Sequence, residues 1–579
     1  MKIVNLANAR FKMYPVFVAI LISILFVGPS VVNASSSITP TSVPVLHVSR
    51  VHSQVTLLDP SFDPNAAVGG VPFCSSGSLG TILCYPPSFL KKAYDFPGAG
   101  GPGNQGDQAV PSDQGGPGDQ GDSNGQGQTI VIVDAFGSPT IQSDLNKFDA
   151  TFGVPPATVT ILCGPTWTGS PSDNCPVKTV ADLSTATNAA LCGAVGWAEE
   201  TSLDVTMAHS LAPSAKIVLV VANDCFDTNL YGAEQAVVSQ HKYDGSVMSQ
   251  SFGEPDDLVT CTAVDPVTLQ CTSRDPTILN LPNSVFEAAQ DRQWTVIASS
   301  GDDGANEDAR VLGTGELTPS FPATSPLVLA AGGTQGNPYG GQYGTFPGPG
   351  GTFSCAAHTN CNTGLVLING GQNGCGTAAR PGEPSSCFPT GYGGEATWNE
   401  FNAFGGLSGG GLGRSSGGGV SSLYPRPFYQ FGTPSSYTTL FGSTVVATGR
   451  TTPDVSFNSA AQGGFIVYLG FLGAWGVFSG TSAASPAWAG IIALVDQANR
   501  GPAGFINPAI YQLGRNPFAG FFGGASFHDI TVGENSDTAG TLSFVDGFVA
   551  TRGYDLTTGW GTPDVSNFIH NILPLLGNH

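Results

Sequence analysis

Three places in the sequence carry residue types and spacings that could do covalent chemistry. Ser482 lies in Phe478-Ser479-Gly480-Thr481-Ser482-Ala483-Ala484-Ser485-Pro486, just ahead of the apolar run Trp488 to Leu494. Small residues bring the chain tightly into a helix there and leave Ser482 near its N-terminus, where unpaired N–H groups and the helix dipole favour developing negative charge. A serine so placed can be a nucleophile whose oxyanion is stabilised as it forms, although most serines at helix starts only cap them. Glu200 and Asp204, in Trp197-Ala198-Glu199-Glu200-Thr201-Ser202-Leu203-Asp204, sit four apart on one helical face. Two acids stacked this way repel unless one is protonated or they share a hydrogen bond. On an exposed helix the pair would simply be solvated, but Trp197, Val205 and Met207 mark the segment as partly buried. Asp302, in Ala298-Ser299-Ser300-Gly301-Asp302-Asp303-Gly304, directly follows an apolar strand. The carboxyl ends of parallel strands face the active-site crevice in open α/β sheets, whereas taken alone the block reads as a turn with two solvated aspartates.

A serine nucleophile needs a base, ordinarily histidine. The eight histidines are His47, His52, His209, His241, His358, His528, His570 and His579, and none stands in a His-Gly-Thr turn. Asp134 ends an apolar strand as a triad aspartate would, but without a partner histidine it reads as structural. His209 lies five residues beyond Asp204, about 140° away around the helix. Glu199 adjoins Glu200 and faces another side. The carboxylates are the better candidates for the base.

The elements that must position these groups form an alternating series. Thr129–Asp134 is a continuous apolar run of the buried parallel-strand kind, and similar runs recur at Lys216–Val221, Ser246–Ser249, Trp294–Ala298 and Leu327–Ala331. Helical patterns fall between them at Ile141–Phe152, Trp197–Ser210, Asn229–His241 and Asn283–Arg292, and a long helix is expected from about Thr481 to Asn499. This alternation predicts an α/β fold with a parallel sheet flanked by helices. Residues 98–128 contain almost nothing that could be buried and read as a flexible Gly/Gln/Asp-rich linker. Residues 335–400 read as a Gly- and Cys-rich, disulfide-stapled insertion.

Forty-two acidic against twenty basic residues, a net charge of −22, exclude the basic footprint that a nucleic-acid binder needs. Gly (79) and Pro (43) make the chain loop-rich, yet 41% hydrophobic residues with 34 Phe suffice for a core. Lys2, Arg10 and Lys12 precede an apolar run, Val16 to Val27, and Val32-Asn33-Ala34 offers small residues to a signal peptidase. Residues 1–34 therefore read as a secretory signal, with an uncleaved anchor as the alternative, and no later stretch is apolar enough to span a membrane. The twelve cysteines of an exported chain read as disulfides paired with their nearest neighbours: Cys74/Cys84, Cys163/Cys175, Cys192/Cys225, Cys261/Cys271, with Cys355, Cys361, Cys375 and Cys387 making up the rest. A zinc site is disfavoured, because no C-x-x-C occurs.

In chain order these blocks resemble the sedolisins, the serine-carboxyl peptidases with a subtilisin-like fold. Glu200–Asp204 is similar to that family's Glu-x-x-x-Asp helix, Ser300-Gly301-Asp302 to its Ser-Gly-Asp turn, and Gly480–Pro486 to its Gly-Thr-Ser-x-x-x-Pro. Phe321–Pro326 with Gly332-Gly333-Thr334, Ser416–Ser421 with Tyr424-Pro425, and Thr452–Ser456 extend the likeness over roughly 129–575. The resemblance implies that Ser482 attacks the peptide carbonyl, Glu200 takes its proton, Asp204 holds Glu200, and Asp302 stays protonated to donate to the oxyanion. A carboxylate base beside a neutral carboxylic acid donor implies activity in acid. The resemblance further implies that substrate lies extended along Ser249, Ser251 and Gly253. It also implies one structural Ca²⁺ held by the side chains of Asp529 and Asp555 and the carbonyls of Ile530, Thr551 and Gly553. By spacing alone that tail reads as plain turns, although its donors suit a hard ion. One departure stands out: sedolisins usually carry a long folded propeptide, and here only 35–128 precede the peptidase region. Residues 35–97 are either a reduced prosegment or, from their cysteines and Tyr85-Pro86-Pro87, part of the mature protein.

The expectation is a secreted, extracellular, monomeric endopeptidase acting on polypeptides at acidic pH, with no nucleic-acid partner and no membrane span once the signal is cleaved. Its peptidase domain would occupy 129–575. The rivals are a Ser-His-Asp subtilisin-like peptidase using Asp134, His209 and Ser482, and a non-catalytic secreted binding protein on the same fold.

Overall fold

A computed structural model describes residues 42–64, 73–76, 80–99, 123–164, 175–335, 347–348, 351–352, 395–400, 414–461, 463–516, 525–539 and 543–577. The leader, most of the proposed linker and insertion, and Cys355, Cys361, Cys375 and Cys387 lie outside the described residues.

The alternating apolar runs become the strands of one sheet. In chain order the main elements are β1 (Thr129–Ala135), α1 (Ile141–Phe152), β2 (Thr160–Cys163), α2 (Ala194–Leu211), β3 (Lys216–Ala222), α3 (Asp227–Val238), β4 (Val247–Gln250), α4 (Asn280–Asp291), β5 (Thr295–Ser299), β6 (Leu329–Gln335), β7 (Ala396–Thr397), β8 (Val455–Asn458) and α5 (Ala484–Asn499). The spatial order is β7-β6-β5-β4-β1-β3-β2, with β8 also pairing β6. All pairings are parallel except β6 with β7. Helical crossovers allow this arrangement and cover the sheet, which is why its strands are apolar along their length. The expected subtilisin-like α/β architecture is therefore present. Several boundaries shift by one to three residues from the sequence reading, as α3 does to Asp227–Val238, and two further differences stand out. Strand β6 starts at Leu329, because Ser325 and Pro326 lie in a turn. Residues Thr481–Ala483 form a single 3₁₀ turn before α5 begins at Ala484, following Gly480 at φ +116°.

Helices α2 and α5 pack closely: a Cβ on Gly490 would lie 3.0 Å from that of Leu211. Every residue of α2 from Glu200 to Leu211 is buried, so its acids are held in the interior. Among the described residues, four disulfides, Cys74–Cys84, Cys163–Cys175, Cys192–Cys225 and Cys261–Cys271, follow the nearest-neighbour pairing. The N-terminal segment is woven into the body. Gln54–Leu57 pairs with Ala474–Ser479, the strand leading to Ser482. Phe73–Ser76 and Gly80–Tyr85 extend the other side of the same five-stranded sheet. No helix among the described residues is long and apolar enough to cross a membrane.

Candidate active site

Strand β1, helix α2 and the turn before α5 bring Asp134, Glu200, Asp204 and Ser482 together, all fully buried. Burial first, and then the charge of Asp134, raises the Glu200 carboxyl well above its usual range; the hydroxyls of Ser53 and Ser482 face it and pull the other way. Neither Glu200 oxygen nor Ser482 Oγ has a formed hydrogen bond, a common state of catalytic contacts before substrate tightens them. Asp204 is likewise raised, by burial and then by Asp134 and Glu200, while Ser251 Oγ donates to its Oδ1 at 2.9 Å. Asp134 is pushed up to about 7, chiefly by burial. Three carboxyls in one dry site cannot all ionise, so the cluster holds protons into the neutral range. Asp134, which the sequence set aside as structural, belongs to this cluster. Strand β1 ends where α2 passes, a proximity that local spacing does not report.

Asp302 follows β5 across the cleft and is also fully buried. Its Oδ1 accepts from the Thr481 N–H at 2.8 Å and the Thr481 hydroxyl at 2.9 Å, leaving Oδ2 without a partner. Burial raises this carboxyl, against the opposing effects of Arg414, His52 and Thr481. With Oδ1 already accepting two donors, a proton on the group belongs on Oδ2. That oxygen lies beside Gly480, where a Cβ would come within 2.7 Å of it.

The three residues expected to line substrate separate. Ser249 lies inside the sheet: its backbone is paired with β5 and β1, and its hydroxyl is 2.9 Å from that of Ser485. It has no free edge to offer, which corrects that assignment. Ser251 and Gly253 do lie on an edge, with Ser251 also steadying Asp204 through its side chain. Their edge is already engaged by the chain's own Arg50 to His52.

In the tail, both oxygens of Asp529 accept from the Gly553 N–H at 3.1 and 3.0 Å, and Asp555 Oδ2 accepts from Thr551 N–H at 2.9 Å. The two carboxylates thus close on one 551–555 turn. Asp555 is pushed up to about 6 by burial, as expected of a carboxylate lacking a counter-charge. Paired carboxylates are the ligand type that a hard cation takes, and the donors that meet them here are the Gly553 and Thr551 N–H groups.

The histidine alternative fails on geometry. His209 Nε2 lies 2.9 Å from the Pro155 carbonyl and 3.2 Å from Asp149 Oδ1, on the side of α2 away from Ser482. Sequence reasoning missed Thr481 and Arg414, both of which act on Asp302. Thr481 adjoins Ser482 in the sequence, whereas Arg414 reaches Asp303 across 111 residues of chain.

A family model described as the subtilase family matches residues 187–510, and the chain belongs to that family. Its relatives are of the sedolisin type. Kumamolisin from Bacillus sp. (strain MN-32) is 28% identical over 453 residues, 78% of this chain and 61% of its own length. Tripeptidyl-peptidase 1 of Homo sapiens is 32% identical over 174 residues, 27% of each protein. The chain thus matches less than two thirds of either relative. A solved structure of Pseudomonas sedolisin, a serine-carboxyl proteinase complexed with pseudo-iodotyrostatin, shares the fold with a TM-score of 0.54 at 21% identity, covering 85% of this chain and 99% of that one.

Proposed function

We propose that the protein is a secreted serine-carboxyl endopeptidase that hydrolyses polypeptides in acid. The reading rests on one observation: a buried serine faces a buried carboxyl on one side and, across the cleft, an aspartate with one oxygen left over for a donor proton. With the protons of the coupled cluster carried by Asp204 and Asp134 and Glu200 as its ionised member, Glu200 takes the proton of Ser482 Oγ as that oxygen adds to the substrate carbonyl. Protonated Asp302 then donates from Oδ2 to the oxyanion, the role that backbone N–H groups fill in other acyl-transfer sites. Glu200 returns the proton to the leaving amine, and water repeats the sequence to release the acyl group. Asp302 donates only while protonated, so activity falls as pH rises through its raised pKa. Disulfides and the N-terminal leader support export. Calcium bound by Asp529, Asp555 and the carbonyls of Ile530, Thr551 and Gly553 would neutralise the tail carboxylates and fix that turn.

The test is hydrolysis of an unfolded protein from pH 2 to 8, with Ser482→Ala and Glu200→Ala alongside. Activity confined to acid and abolished by both changes is expected. Activity near neutrality that survives Glu200→Ala would overturn the carboxylate mechanism.

A further inference from the structure

Helix α3 gathers buried acids that the peptidase chemistry does not use. Asp227, Tyr231 and Glu234 lie along one face of the helix, a turn apart. Each is more than nine-tenths buried, and among the described residues the Tyr231 hydroxyl and both Glu234 oxygens have no hydrogen-bond partner. Glu254, on the strand Phe252–Pro255, reaches the same place; it is 5% exposed, and its Oε1 is also without a partner. Burial raises Asp227 and Glu234 well above the usual carboxylate range and pushes Glu254 up to about 7. A buried cluster of this sign holds either protons or a cation.

A histidine decides between the two. The N-terminal segment crosses the start of α3: Val48 bridges Phe226, the Ser49 N–H donates to the Cys225 carbonyl at 3.0 Å, and the Asp227 N–H donates to the His47 carbonyl at 3.3 Å. The His47 ring thereby stands beside the acids, with Nδ1 3.6 Å from Glu254 Oε2 and neither ring nitrogen hydrogen-bonded. One ligating atom each from His47, Asp227 and Glu254 lie within 4.8 Å of one another. Side-chain shifts of under about 1 Å would bring all three to the roughly 2 Å of metal–ligand bonds. The Ser49 hydroxyl donates to Asp227 Oδ1 at 2.9 Å, the kind of outer contact that orients a ligating carboxylate. The Cys192–Cys225 disulfide fixes the chain two residues ahead of Asp227.

We propose that His47, Asp227 and Glu254 bind one divalent transition-metal ion of the zinc type, which fastens the N-terminal segment to α3 and to the Phe252–Pro255 strand. An imidazole nitrogen with two carboxylates is a donor set for such an ion, whereas calcium and magnesium take oxygen ligands. Three protein ligands leave a position for water. Glu234, which interacts electrostatically with Asp227, adds to the pull on a cation. The site shares no residue with the serine centre or with the tail carboxylates Asp529 and Asp555.

The experiment uses the full chain carrying Ser482→Ala, at pH 7.5 with calcium in excess so that the tail does not compete for the probe. Zn²⁺ binding is measured by equilibrium dialysis and by melting temperature. His47→Ala, Glu254→Gln and His241→Ala are made in the same background, the last removing an exposed histidine 3.0 Å from Asp244 that could take zinc at the surface. Expected are one Zn²⁺ per chain, a melting temperature that rises with zinc, and affinity weaker by about tenfold or more in His47→Ala and Glu254→Gln. His241→Ala should bind as the parent does. Melting without zinc checks that the variants fold; if Glu254→Gln does not, His47→Ala decides alone. Zinc binding that survives His47→Ala, or that is lost in His241→Ala, would overturn the site. So would the absence of binding, which would leave Asp227 and Glu254 as a pair that shares protons.

Discussion

At the residue scale, the asymmetry of Asp302 separates a donor from a buried acid that merely fills space. Thr481 saturates Oδ1 and nothing engages Oδ2. If Oδ2 stabilises the oxyanion, Asp302→Ala lowers kcat by about 10²–10³ with little change in KM, the usual cost of one such donor. Asp302→Asn keeps an N–H to donate and an oxygen for Thr481, so it retains more activity than the alanine variant in steady-state assays on a peptide substrate. Equal losses would mean that Asp302 holds the 481 turn and does not touch the reaction. Ser482, Glu200, Asp204 and Asp302 were legible in the sequence because their short blocks, each ambiguous alone, together resemble the sedolisin motifs in chain order. Asp134 was not, because strand order brings it in from elsewhere in the chain. Ser249 was misread for a related reason: β4 is an inner strand, and its backbone is already paired on both sides.

At the element scale, strand and helix periodicity located the sheet well, since parallel strands buried on both faces read as unbroken apolar runs. It could not show what pins the sheet's far side. Arg450 and Asp454, both fully buried, form a two-pronged pair with Nη1–Oδ1 at 2.8 Å and Nη2–Oδ2 at 2.6 Å. Asp454 also accepts from the Ala330 N–H and the Tyr511 hydroxyl, at 2.8 and 2.6 Å, and so ties β6 to β8 and to the C-terminal region. Arg450→Met would leave that carboxylate buried and unpaired, at a cost of about 3–5 kcal/mol. Denaturant unfolding of the Ser482→Ala background, which cannot digest itself, would measure the loss. A change below about 1 kcal/mol would show that Tyr511 and the backbone satisfy Asp454 unaided. Similarly, chelating calcium should lower the melting temperature of the parent and leave Asp555→Ala unmoved. Equal shifts would remove the tail as the ion's site.

At the scale of the whole molecule, the buried acids make stability itself a function of pH. Burial pushes Asp134 and Glu254 up to about 7, Asp496 to about 8, and Asp257 and Asp564 to about 6. In the unfolded chain the same groups release their protons near pH 4. Below that both states are protonated and nothing is lost. Between about 4 and 7 the folded protein keeps protons that the unfolded chain has released, so raising the pH favours unfolding. The penalty is complete once pH passes the folded pKa values. This is opposite in sign to a protein stabilised by exposed salt bridges, whose carboxylates are depressed and which weakens in acid. The net charge of −22 adds self-repulsion as the carboxylates ionise. We therefore expect the Ser482→Ala protein, at fixed calcium, to melt several degrees higher at pH 4 than at pH 7.5. Calcium at the tail works the other way, because protons compete with it for Asp529 and Asp555, so the contrast should widen when chelator is present at both pH values. A melting temperature that rises towards neutrality in chelator would mean that these acids are ionised in the fold, and would remove the proton-sharing cluster on which the acid mechanism depends.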